Sequence, residues 1–110
     1  MKLPRADRAV IEQAKVERYL LDIDHPDGGS KAKLLLSLGY APGKWQLLAA
    51  DLRREHLSED VIEVRETPWG TRYEIVAPLT GPSGDTVLFR SVWQIDLGAD
   101  AARMITMYPE

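Results

Sequence analysis

Arg72-Tyr73-Glu74-Ile75-Val76-Ala77, then Gly81-Pro82-Ser83-Gly84-Asp85, then Thr86-Val87-Leu88-Phe89-Arg90-Ser91-Val92-Trp93-Gln94-Ile95, is the stretch that decides the fold. Tyr73, Ile75 and Ala77 alternate with Arg72, Glu74 and Val76, the period of two expected of a strand with one buried face. The Gly/Pro/Ser/Asp cluster is a hairpin connection, and a further strand runs from Thr86 to Ile95. In that strand Val87, Phe89, Ser91, Trp93 and Ile95 share a face, which sets the Ser91 hydroxyl among apolar neighbours. Upstream, Val61 to Glu66 reads as a strand and Thr67-Pro68-Trp69-Gly70 as the turn after it. Downstream, a fourth strand runs from about Arg103 to Tyr108. Strict alternation would put Met104, Thr106 and Tyr108 on one of its faces and Arg103, Ile105 and Met107 on the other. Connections this short favour an antiparallel meander.

The first half of the chain follows the helical period instead. Val16, Tyr19, Leu20 and Ile23 fall at i, i+3, i+4 and i+7, predicting a helix over about Glu12 to Leu21. Ala9-Val10-Ile11 either begins that helix or forms a short edge strand. Pro26 and the pair Gly28-Gly29 stop the helix, and Ser30 suits the N-cap of a second one. Its apolar positions Ala32, Leu35, Leu36 and Leu38 lead to Gly39 as a C-terminal stop. Pro42 fits the first turn of a third helix, striped by Trp45, Leu48, Ala49 and Leu52. His56 continues that stripe near the helix C-terminus and reads as a packed histidine favoured by the helix dipole. The expectation is an α+β fold, three N-terminal helices on one face of a four-stranded antiparallel meander. Residues 1–110 would form a single domain, with 1–7 as a candidate tail.

The 110 residues are 45% hydrophobic and 28% charged, the balance of a soluble globular domain. Without cysteine there are neither disulfides nor thiolate metal sites. A net charge of −3 disfavours indiscriminate binding to nucleic acid, yet leaves room for a small local basic site on an RNA-cleaving enzyme. The N-terminal residues contain no apolar leader, and no apolar run is long enough to span a bilayer, so a cytoplasmic protein without a membrane partner is the default expectation.

Chemistry concentrates in Asp22-Ile23-Asp24-His25-Pro26-Asp27-Gly28-Gly29-Ser30-Lys31. The aspartate spacing is not that of a calcium loop, because Pro26 stands at the third acidic position and Lys33 at the twelfth. The loop also lacks the pattern of a nucleotide-binding P-loop, and no metal or cofactor is expected. His25 can serve as general acid or base, with Lys31 and backbone N–H groups at the start of helix two holding an oxyanion. That pairing suits metal-free RNA cleavage, in which a base removes the 2′-hydroxyl proton and cations steady the phosphate. The plainer alternative is a tight turn whose imidazole bonds to the backbone. On the last strand Thr106 and Tyr108 can present two hydroxyls, and Arg90 or Arg103 can meet a phosphate. Each also suits an ordinary half-buried or surface position. No nucleophile elbow, HExxH helix or paired-carboxylate site is present.

Tyr19-Leu20-Leu21-Asp22, Asp24 through Lys33, Leu38-Gly39-Tyr40, Pro78-Leu79-Thr80-Gly81-Pro82, Trp93 and Arg103 through Pro109 together resemble a small bacterial family of uncharacterised domains. Some members of that family are toxin-associated. The order of helices followed by four strands is similar to the RNase toxin domains grouped around barnase, EndoU, colicin nucleases and RelE. That resemblance implies a metal-independent endoribonuclease using His25, Lys31, Arg103, Thr106 and Tyr108. It also implies an RNA substrate and a cognate antitoxin or immunity protein. The competing expectation is a non-catalytic protein-binding module or an accessory protein of a toxin system.

Overall fold

The computed structural model describes residues 1–110. Four strands, β1 (Glu63–Thr67), β2 (Gly70–Thr80), β3 (Thr86–Asp96) and β4 (Arg103–Pro109), form one sheet in chain order, each neighbouring pair antiparallel. β2 and β3 pair over their whole length, from Gly70 opposite Asp96 to Thr80 opposite Thr86. Pro78 is tolerated in so long a strand because β1 has already ended opposite Glu74, so no ladder partner waits for a proline N–H. Gly70 lets β2 start close against β3: a Cβ there would lie 2.2 Å from the Ile95 carbonyl oxygen, and its φ of 150° is one that side chains rarely adopt.

The helices cover one face of this sheet, giving the expected α+β arrangement. Helix α1 (Gln13–Lys15) widens into a π-helical turn (Val16–Leu20), α2 spans Gly29–Ser37, and α3 (Trp45–Glu55) follows a 3-10 turn at Pro42–Lys44. Val16, Leu20, Leu35, Leu48 and Leu52 are buried from the helices, against Tyr73, Ile75, Ala77 and Leu79 of β2 and Phe89 and Trp93 of β3. No helix is long and apolar enough to cross a membrane.

Two local expectations change, and one open alternative is resolved. Residues 1–7 pack onto the domain: Leu3 is buried, and the Met1 carbonyl accepts a 2.7 Å bond from the Val61 N–H. Val10 takes the edge-strand option, bridging to Arg103 in parallel through Val10 N–H to Ala102 O at 2.8 Å and Met104 N–H to Val10 O at 3.0 Å. The stripe read for the first helix is also narrower than its spacing implied. The Leu21 N–H reaches back five residues to Val16 O, and this wider turn leaves Tyr19 half-buried and Ile23 exposed.

The largest correction concerns β4. Val92 pairs with Thr106 but Trp93 pairs with Met104, so Ile105 is an extra residue in a β-bulge. Alternation breaks there. Met104 and Met107 both lie opposite core positions of β3 and are buried. Arg103, Thr106 and Tyr108 are registered opposite Gln94, Val92 and Arg90, the even-numbered positions of β3 that alternate with its core positions. Met104 therefore leaves the row of Thr106 and Tyr108, and Arg103 joins it.

His56 caps the end of α3 with no exposed surface. Its Nδ1 lies 2.8 Å from Ser91 Oγ, which also accepts a 2.9 Å bond from the Trp93 indole N–H. Burial pushes the imidazole down to about 4, against a weaker opposing pull from the Ala77 carbonyl, so the ring is neutral at pH 7. The hydroxyl that the sequence set among apolar neighbours is thus the centre of a sealed polar knot joining α3 to the sheet.

Candidate functional site

The His25 loop folds onto its own backbone. Asp22 Oδ1 accepts the Asp24 N–H at 2.9 Å, an Asx turn, and the His25 N–H bonds to Asp22 O at 3.1 Å. His25 Nδ1 then accepts two backbone donors, Asp27 N–H at 3.1 Å and Gly28 N–H at 3.2 Å. The Gly29 N–H closes on His25 O at 3.0 Å. Gly29 is required by crowding, since a Cβ would sit 2.7 Å from the Ile23 carbonyl oxygen. Five loop N–H groups, those of Asp24, His25, Asp27, Gly28 and Gly29, are thus spent inside the turn and not offered to an anion. The two on Nδ1 also set the tautomer. With Nδ1 accepting, the neutral ring carries its proton on Nε2.

Beside this loop, three polar side chains from three elements meet. Lys31, in the first turn of α2, places Nζ 2.5 Å from the Tyr19 hydroxyl and 3.0 Å from Thr106 Oγ1 on β4. The two hydroxyls are 3.3 Å apart. The His25 ring stands edge-on to Tyr19, centroids 4.9 Å apart at 82°. Lys31 and Lys15 also lie 4.7 and 5.4 Å from the Tyr19 ring centroid. Partial burial works to raise the Tyr19 hydroxyl, but hydrogen bonds to Lys31 and Thr106 and the charges of both lysines outweigh it and lower its pKa.

Of the five residues singled out from sequence, His25, Lys31 and Thr106 come together through Tyr19. Arg103 and Tyr108 do not touch this cluster, although they share the open face of β4 with Thr106. Arg103 is paired with Asp96, at 2.8 Å from Nε to Oδ2 and 3.3 Å from Nη2 to Oδ1. Arg90 is held between Glu74 and Glu110, each at 2.9 Å. Lys31 differs from both arginines in having only hydroxyl partners and no carboxylate within ion-pair distance. An ammonium held this way keeps its full charge available to an incoming anion.

Tyr19 is the functional candidate that sequence reasoning placed in the core. The available signal was its hydroxyl, which a half-buried tyrosine must satisfy. A second feature also went unread. At the end of the sheet where both outer hairpins turn, Trp69, Arg72, Gln94, Asp96, Leu97 and Arg103 help line an open concavity of about 470 Å³.

The chain belongs to the family DUF6883, a domain of unknown function, whose model matches residues 2–110. No curated protein matches it in sequence. Among solved structures, one similar in fold belongs to a contact-dependent growth inhibition toxin–immunity protein complex from Klebsiella pneumoniae 342. The likeness covers 96% of this chain and 96% of that one, with a TM-score of 0.74 and 18% identity.

Proposed function

We propose that this DUF6883 domain is the RNA-cleaving toxin component of a bacterial toxin system, working without a metal. The observation that carries the reading is the Lys31 ammonium, free of carboxylates and gripped by the Tyr19 and Thr106 hydroxyls. The likeness in fold to a toxin–immunity complex supports a place in a toxin system.

In this scheme the lowered Tyr19 hydroxyl, as phenolate, takes the 2′-hydroxyl proton. The 2′-oxygen attacks the adjacent phosphorus, and the bond to the 5′-oxygen breaks. Lys31 steadies the phosphate, gives its proton to the leaving 5′-oxygen and recovers one from Tyr19 across their contact. The products are a 2′,3′-cyclic phosphate and a 5′-hydroxyl. His25, whose Nδ1 is occupied, serves as an Nε2–H donor to a phosphate oxygen rather than as the base. Thr106 and Tyr108 position the substrate, and Arg103 meets a neighbouring phosphate.

The test is expression of the chain in bacteria, with incubation of purified protein and total RNA in chelator. Growth arrest and cyclic-phosphate ends are expected, with both lost in Lys31→Met and Tyr19→Phe. A harmless wild-type chain that leaves RNA intact would overturn the reading. One observation favours a second reading, a protein-binding member of such a system: β1 leaves its outer edge unpaired, with Ile62 and Val64 exposed beside it. Under that reading Lys31→Met is silent and Val64→Glu abolishes capture of a partner.

A further inference from the structure

The concavity beside Trp69 is built by the close approach of two hairpins. The Leu97 N–H bonds to Trp69 O at 3.0 Å, and Gly70 allows the strands to close there. Its lips are apolar and unusually open: Trp69 is 70% and Leu97 75% exposed. Its floor is a wired polar chain across three strands. Arg72 Nε donates to Gln94 Oε1 at 3.0 Å, and Gln94 Nε2 donates to Asp96 Oδ1 at 2.6 Å. Asp96 in turn accepts from Arg103.

Two details give this floor a direction. Gln94 is only 3% exposed, so the side chain that aims Arg72 is itself fixed. The Asp96 carboxylate is spent on Arg103 and Gln94, whereas Arg72 has a neutral partner and no carboxylate within ion-pair distance. The floor thus presents unspent guanidinium N–H groups beneath an exposed indole. An acidic peptide would use the guanidinium and leave the indole uncovered. A nucleotide uses both, since its base has a π face and its phosphate accepts a forked donor.

We propose that this concavity is a subsite for one unpaired nucleotide of single-stranded RNA, its base stacked on Trp69 and its phosphate held by Arg72. The proposal rests on the RNA-directed reading above and extends it. Arg103 lines the concavity and lies three residues from Thr106 on the same face of β4, roughly 10 Å along a strand. A strand of RNA seated on Trp69 would therefore run along β4 toward Lys31.

The probe is a fluorescent 2′-O-methyl oligopyrimidine, which cannot be cleaved because its 2′-oxygen is blocked, titrated into the whole chain by anisotropy. Trp69→Ala and Arg72→Gln should each weaken binding roughly tenfold, the usual cost of losing one base stack or phosphate contact. Arg72→Lys should recover part of the loss, and circular dichroism should show all three variants folded. Binding by the wild type that neither substitution weakens would overturn the subsite while leaving the cleavage reading intact. Displacement of the probe by oligoglutamate but not by unlabelled oligonucleotide would overturn it in favour of an acidic protein partner. Cleavage of RNA by the wild type with no binding of the probe would overturn the subsite alone. Failure to bind and to cleave would overturn both.

Discussion

The two histidines of this chain sit in opposite settings. His56, Ser91 and Trp93 form a hydrogen-bonded knot that solvent does not reach, whereas His25 stands in a surface loop against Tyr19, whose hydroxyl meets Lys31 and Thr106. On paper the His56–Ser91 pair looks more like a catalytic dyad. Accessibility excludes that role, because a sealed pair cannot meet a substrate and its neutral imidazole serves to tie α3 to the sheet through Nδ1 and Ser91. The surface cluster, where the sequence concentrates its chemistry, has a cation free of carboxylates and a polarised hydroxyl.

Substitutions can break this contrast, beginning with the largest effect. Lys31→Met or Tyr19→Phe should lower RNA cleavage by about 10² to 10⁴, the usual worth of a proton-transfer group, while urea denaturation shifts by no more than about 1 kcal/mol. Equal loss of stability and activity would erase the distinction. His56→Ala should do the reverse, removing about 3 kcal/mol of unfolding free energy by leaving a cavity and stripping Ser91 of a partner.

The knot should also announce itself in pH. Folded His56 titrates at about 4, and a histidine in the unfolded chain near 6.5, so between these values the unfolded chain binds the extra proton. Stability from the neutral ring is complete above pH 6.5 and falls as pH drops toward 4, by about 3 kcal/mol in all. Denaturant midpoints measured across that window should show the slope, and His56→Gln should flatten it. In the surface cluster, Lys31→Met should move the tyrosinate titration of Tyr19 upward, read by ultraviolet absorbance. The smallest effect belongs to Arg103→Gln, whose half-exposed ion pair should cost within about 0.5 kcal/mol.

The strands were legible because a half-buried strand writes its period into the sequence, and the glycines and prolines mark the turns. The helices at Gly29–Ser37 and Trp45–Glu55 were legible for the same local reason. What escaped is non-local. At Val10 the sequence left an edge strand and a helix start both open, and only the position of β4 decides between them, while the Ile105 bulge depends on its partner strand and leaves no mark in its own neighbourhood. Tyr19 satisfied a helical stripe and was read as core, since nothing near it in sequence shows that Lys31 and Thr106 will arrive at its hydroxyl. His25 and Lys31 were found by residue type, but the locking of Nδ1 by two N–H groups is a matter of loop geometry.

The bulge at Ile105 also acts as a reading frame for β4. It sets the parity that lets Met104 and Met107 fill the core while Arg103, Thr106 and Tyr108 line up outside. Straightening the strand with Ile105 kept in line would put the two sets out of phase, with Met104 beside Thr106 and Tyr108 on one face and Met107 beside Arg103 on the other. Removing Ile105 outright would instead leave a strictly alternating strand in which both sets keep their sides. A relative one residue shorter here would keep the same methionines and the same polar row with no bulge at all.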